Sequence, residues 1–147
     1  MKVISSGATG RFTLVVKPEH LANRVKDSIL PPVLATPVMI MAMENAALNA
    51  VRDHLQPGES VVGTMVDVQH LAATAVGQTV TATAEVIAVE GRRITFTVSA
   101  FDEVEEIGKG THERMVIEIA RLRHRLEDKI ARSAAARAAL DRRSVPD

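Results

Sequence analysis

In the stretch LATPVMIMAMENAALNAV, residues 34–51, a single carboxylate, Glu44, stands among Met, Ile, Ala, Val and Leu. On a helix its neighbours three and four positions away are Ile40, Met41, Ala47 and Leu48, all apolar. Asn45 and Asn49 mark a more polar edge, so the pattern predicts a buried Glu44. Burying an unpaired carboxylate costs roughly several kcal/mol. The acid therefore either pairs with an arginine of a sheet or a partner chain, or it does chemistry. Eight positions earlier lies Thr36, and His70 closes a later alternating segment. Hydroxyl, carboxylate and imidazole together are the groups that activate a nucleophile and shuttle its proton. Singly, each has a plain structural role: Thr36 as a helix N-cap, His70 as a core or interface residue, Glu44 as half of an ion pair.

The elements that must position these groups are legible from period and punctuation. Residues 1–9 read as a loose terminus. RFTLVVK (11–17) alternates as a strand, and 18–35 is irregular, with a helical turn near PEHLANRV. Thr36 as N-cap and Pro37 as first helical residue start a helix that runs to about Leu55, where QPGES stops it. The capping-box acid is missing, because Met39 holds its place. Four strand segments follow, at 61–71, 78–89, 93–101 and 107–119. In the first, Val62, Thr64, Val66, Val68 and His70 are expected to share a face. A tail from about 120 to 143 is helical, with a thin stripe of Ile119, Leu122, Leu126 and Ile130. Strand, long helix, four antiparallel strands and tail helix make an α+β chain. A helix apolar nearly all round must be covered on most sides. A strongly curved antiparallel sheet wrapped around one long central helix does this, which is the hotdog architecture, usually dimeric. The expectation is a single hotdog domain over 1–147, with the core at about 10–119 and a C-terminal helix at about 120–143.

Composition narrows the function. The 147 residues carry 18 basic and 18 acidic side chains, so no net field draws nucleic acid or an anionic membrane. The absence of cysteine excludes disulfides, thiolate zinc sites and a cysteine nucleophile. Three phenylalanines are the only aromatics, too few for a base-stacking platform. The N-terminus does not read as a secretory signal, and the longest apolar run, 37–43, is too short to span a bilayer. The chain is expected to be cytoplasmic.

The blocks VLATPVMIMAMENAA, PGESVVGTMVDVQHLAAT and GRRITFTVSAFDEVEEIGKGTHERMVI occur in that order. Together they resemble the fluoroacetyl-CoA-specific thioesterase family of hotdog proteins over roughly residues 10–120. The resemblance implies an acyl-CoA thioesterase that releases a short-chain acid and coenzyme A. It needs no cofactor or metal beyond the coenzyme A of its substrate. It implies Thr36, Glu44 and His70 as the catalytic set, Gly63 in substrate positioning, and Arg114 with His112 near the coenzyme A moiety. The family's fluoroacetyl-specific members carry lid aromatics before the catalytic threonine, and PEHLANRVKDSILPPVLA (18–35) has none, so a general short-chain acyl-CoA is expected.

The roles within the set stay open. Thr36 attacks with His70 as base and Glu44 orienting it, or Glu44 activates water or attacks while the others position the carbonyl. Gly63 and His70 are seven apart, so on a regular strand they point oppositely, which would suit two protomers' sites. Gly108 and Gly110 admit a ligand or mark a bulge. A non-catalytic acyl-CoA-binding protein and an acyl-CoA hydratase or dehydratase are the alternatives. A homodimer or higher homo-oligomer is expected, because a lone sheet and helix leave an edge and apolar surface bare.

Overall fold

The structure, a computed structural model, describes residues 1–143; the last four positions of the expected domain lie outside the described residues. β1 (Thr9–Val15) is followed by a 3-10 turn at Pro18–His20, a short α1 (Ala22–Val25) and the long α2 (Thr36–Val51). Then come β2 (Glu59–His70), β3 (Thr79–Glu90), β4 (Arg93–Phe101), β5 (Glu106–Glu118) and α3 (Ile119–Arg143). The five strands form one antiparallel sheet in the order β1-β3-β4-β5-β2, curled around α2. This is the hotdog arrangement. α2 ends four residues before Leu55, passing into a 3-10 turn at Arg52–His54.

The core is the inner face of the sheet against one stripe of α2. Met39, Ala42, Met43, Ala46, Ala47, Ala50 and Val51 recur at helical spacing and are buried. They meet Val80, Ala82, Ala84 and Val86 of β3 and Ile94, Phe96, Val98 and Ala100 of β4. The alanines let the helix lie close: a Cβ on Gly10 of β1 would overlap the backbone of Ala46 and Ala50. α2 packs chiefly across β1, β3 and β4 and touches β2 little. The gap between α2 and β2 is the open side of the molecule.

Two expectations are corrected here. The terminus expected to be loose is tied down. Ile4 is in the core, the Lys2 N–H donates to the His54 carbonyl, and the Gly7 N–H donates to Val86. Lack of periodicity hid this, because the segment is held by backbone bonds, by the Met1 amino group on Glu59 at 2.9 Å and by scattered apolar side chains. The expected common face of Val62, Thr64 and His70 is broken by a bulge between Gly63 and Met65. Cross-strand partners share a face, so Val61 opposite Val116, Gly63 opposite Arg114 and Val66 opposite His112 all point inward. The extra residue, Thr64, flips the alternation, so Gly63 and His70 lie on the same inner face despite their odd spacing.

Candidate active site

Thr36 and His70 are brought together. Ala35, extended at φ −71° and ψ 139°, takes the N-cap place, which puts Thr36 and Pro37 at the first two helical positions. The Thr36 hydroxyl does not cap the helix as expected; it lies 2.8 Å from His70 Nδ1. A helix N-terminus carries partial positive charge and spare N–H groups, so the hydroxyl sits where negative charge is favoured. His70 ends β2, where its strand pairs with Gly108. Burial pushes its pKa below the ordinary imidazole value; the Ala72 backbone opposes this and the Lys26 charge adds to it. The imidazole is therefore biased toward the neutral form that accepts a proton. Its Nε2 is buried and has no hydrogen-bond partner among the described residues.

The pair opens on a cavity of about 430 Å³. Its walls are Ala22, Lys26, Leu30, Pro31, Val33 and Leu34 on one side and Leu71, Ala72 and Ala73 on the other. Lys26 and Leu30 were not singled out from sequence. The segment that bears them is irregular, and no period marks which of its side chains face the site.

Glu44 stands elsewhere. Eight residues of helix separate it from Thr36, about 12 Å of rise. The expectation of a buried Glu44 is corrected: its side chain is 40% exposed. Ala47 is fully buried, but Met41 is 39% exposed, because this side of α2 faces the open gap toward β2. Its partner is Arg114, whose Nη1 lies 3.9 Å from Glu44 Oε2.

His112 and Arg114, expected near coenzyme A, are buried on the inner face of β5. Arg114 donates from Nη2 to the Val61 carbonyl at 2.7 Å and from Nη1 to His112 Nε2 at 3.2 Å. Guanidinium only donates, so His112 Nε2 accepts and its proton is on Nδ1, which donates to the Met65 carbonyl at 2.8 Å. Burial lowers the pKa of His112, and the Arg114 charge acts in the same direction. The His112 ring also stacks on Phe96, with centroids 5.9 Å apart.

Gly63 closes this second cluster. A Cβ there would lie 3.1 Å from Glu44 Oε2 and 3.3 Å from His112 Cε1. Gly108 and Gly110 serve packing. A Cβ on Gly108 would strike Met39 and one on Gly110 the backbone of β2. No group of three or more His, Asp or Glu able to hold a metal is present among the described residues.

One chain thus carries a hydroxyl–imidazole pair beside a cavity and, a dozen ångströms up the same helix, a carboxylate held by arginine on the open side. A Thermus thermophilus protein described as a thioesterase superfamily member has this same fold. Its structure superposes with a TM-score of 0.86 at 29% identity, covering 92% of this chain and 99% of that one. The protein is a hotdog thioesterase.

Its family is narrower. The fluoroacetyl-CoA-specific thioesterase family matches residues 16–120, and the chain belongs to it. The fluoroacetyl-CoA thioesterase of Streptantibioticus cattleyicolor is 48% identical over 99 residues, 67% of this chain and 71% of that protein. A solved structure of a fluoroacetyl-CoA thioesterase superposes with a TM-score of 0.83 at 39% identity, covering 87% of this chain and 98% of the other.

Proposed function

We propose that the chain hydrolyses short-chain acyl-CoA thioesters, with Thr36, His70 and Glu44 as the reacting groups. The observation that carries this is the Thr36 hydroxyl 2.8 Å from His70 Nδ1 on the wall of an open, largely aliphatic cavity. Neutral His70 takes the Thr36 proton as the hydroxyl attacks the thioester carbonyl, and returns it to the departing thiolate. Water then releases the acid by the same route. The resulting imidazolium needs an acceptor at Nε2, the position a carboxylate fills in hydroxyl–imidazole–carboxylate triads. Within the chain Glu44 is too far along α2 to serve.

Two copies therefore pair across the open α2–β2 side, and Glu44 of the second copy completes the site. Gly63, His112 and Arg114 hold that carboxylate in place rather than gripping coenzyme A. Both His112 ring nitrogens and the Nη1 and Nη2 of Arg114 are bonded inside the sheet, and the Arg114 Nε, which has no partner among the described residues, is itself buried. A complex of a related protein supports a small acyl group. One related fluoroacetyl-CoA thioesterase was solved with acetyl-CoA. Leu30 and its neighbours supply aliphatic rather than aromatic walls, which favours a general short acyl group over a fluorinated one. No cofactor is needed, and the setting is the cytoplasm, where acyl-CoA esters are made and consumed.

The test is thiol release across a panel of short, branched, aromatic and halogenated acyl-CoAs. Release is expected to be fastest with unsubstituted short chains. Binding of acyl-CoA with no thiol released from any panel member would make the chain a binding protein instead.

A further inference from the structure

Thr74, the last residue of the HLAAT block, is buried as deeply as His112, at 1% exposure, yet takes no part in the chemistry above. Its hydroxyl donates to Asp102 Oδ2 at 3.0 Å. Its backbone carbonyl accepts the Leu34 N–H at 2.9 Å. Asp102 opens the β4–β5 turn, and its other oxygen accepts the N–H groups of Val104 at 2.8 Å and Glu105 at 2.9 Å. The turn is anchored again by Glu103, whose carboxylate accepts the Thr79 N–H at 3.2 Å.

Thr74 therefore joins three segments. Leu34 lies two residues before Thr36, Thr74 lies four residues after His70, and Asp102 belongs to a rigid turn between two central strands. The hydroxyl opens α2 and the imidazole closes β2, so each stands where its element meets a loop. Nothing in α2 or β2 alone sets their separation. The Ala35 N–H is held by the His20 carbonyl and the Leu71 N–H by Ile107, but the link that joins the two loops to each other and to the turn runs through Thr74, by its carbonyl on one side and its hydroxyl on the other. A buried hydroxyl and a carboxylate accepting three bonds are costly to leave unmatched, so the connection is stiff.

We propose that Thr74 and Asp102 are positioning residues that set the Thr36–His70 geometry by clamping the two loops to the β4–β5 turn. The proposal rests on the reading of Thr36 and His70 as the reacting pair. The test compares Thr74→Val, which keeps shape and removes the hydroxyl, with Thr74→Ser, which keeps the hydroxyl, and with Asp102→Asn. Two readouts are taken on each: kcat with KM for a short acyl-CoA, and the nitrogen resonances of the His70 ring.

For Thr74→Val, kcat is expected to fall about tenfold or more while KM moves less than about threefold. The ring resonances shift, and Thr74→Ser restores both. Asp102→Asn shifts the same readouts in the same direction and carries the test if Thr74→Val does not fold. A folded Thr74→Val or Asp102→Asn with wild-type kcat and ring resonances overturns the clamp. So does a rise in KM at constant kcat, which would make the loop only a cavity wall. Absence of thiol release by the wild-type chain would defeat the functional reading instead, and the ring resonances would then decide the clamp by themselves.

Discussion

At the scale of the residue, Glu44, His70 and His112 make separate forecasts. Glu44→Gln keeps shape and removes charge. Turnover is expected to fall about 100-fold, the size of a general acid–base contribution. Melting should change little, because the side chain is 40% exposed and its ion pair is long at 3.9 Å. Melting curves and initial rates on one preparation check this, and a folded, fully active variant removes Glu44 from the mechanism. His70 and His112 both have pKa values lowered by burial. Between each lowered value and the ordinary value near 6.5, the unfolded chain binds a proton that the folded chain does not. Stability is therefore full above about pH 6.5, declines as pH falls below it and levels off beneath the folded values. Denaturant midpoints at pH 7.5 and 5.5 are expected to differ in that sense, and equal midpoints would contradict it. For activity, burial lowers the His70 pKa while the carboxylate proposed at its Nε2 raises it, so Glu44→Gln should move the acid limb of kcat/KM to lower pH.

Elements act through close approach, and two glycines separate packing from site geometry. Gly10 lets β1 cross α2 at the backbone of Ala46 and Ala50. Gly10→Ala must move a strand from a helix, and such overpacking costs about 1–3 kcal/mol. The loss should appear in denaturant midpoints, with unchanged kcat per folded molecule. Gly63 instead faces the tip of the Glu44 side chain and the edge of the His112 ring. The carboxylate can yield by a few tenths of an ångström, so Gly63→Ala should cost little stability. Displacement of the carboxylate should lower kcat about tenfold. A stable, fully active Gly63→Ala chain would remove Gly63 from the site. The bulge at Thr64 is what puts this glycine inward, so the strand's irregularity is part of the site's construction.

For the whole molecule, the forecast is assembly. β2 is an edge strand, and Met41 and Val66 are about 40% exposed along the open side. Sedimentation is expected to give a dimer or larger, and a stable, active monomer would refute it. If each site takes Thr36 and His70 from one chain and Glu44 from the other, inactive variants complement. A randomly mixed dimer of Thr36→Ala and Glu44→Gln chains contains one intact site in half of its molecules. Mixing should then restore about a quarter of wild-type activity. No recovery after verified subunit exchange would place all three groups in one chain's site.

The sequence by itself determined the element order and the central helix, because period and punctuation are local signals that survive without contacts, and it singled out Thr36, Glu44 and His70 as candidates. α2 shows both the reach and the limit of that reading. Its wheel is apolar nearly all round, which announces a central helix. Hydrophobicity does not say which apolar face the sheet covers and which a second copy would cover, so Glu44 was expected to be buried and instead borders the open gap. Thr36 likewise has the side chain of an N-cap, and only the arrival of His70 from β2 gives its hydroxyl another partner. The inward turn of Gly63 depended on one extra residue in a strand, invisible to strict alternation. Thr74 and Asp102, 28 positions apart, met through tertiary structure alone, since no sequence period links a loop to a distant turn.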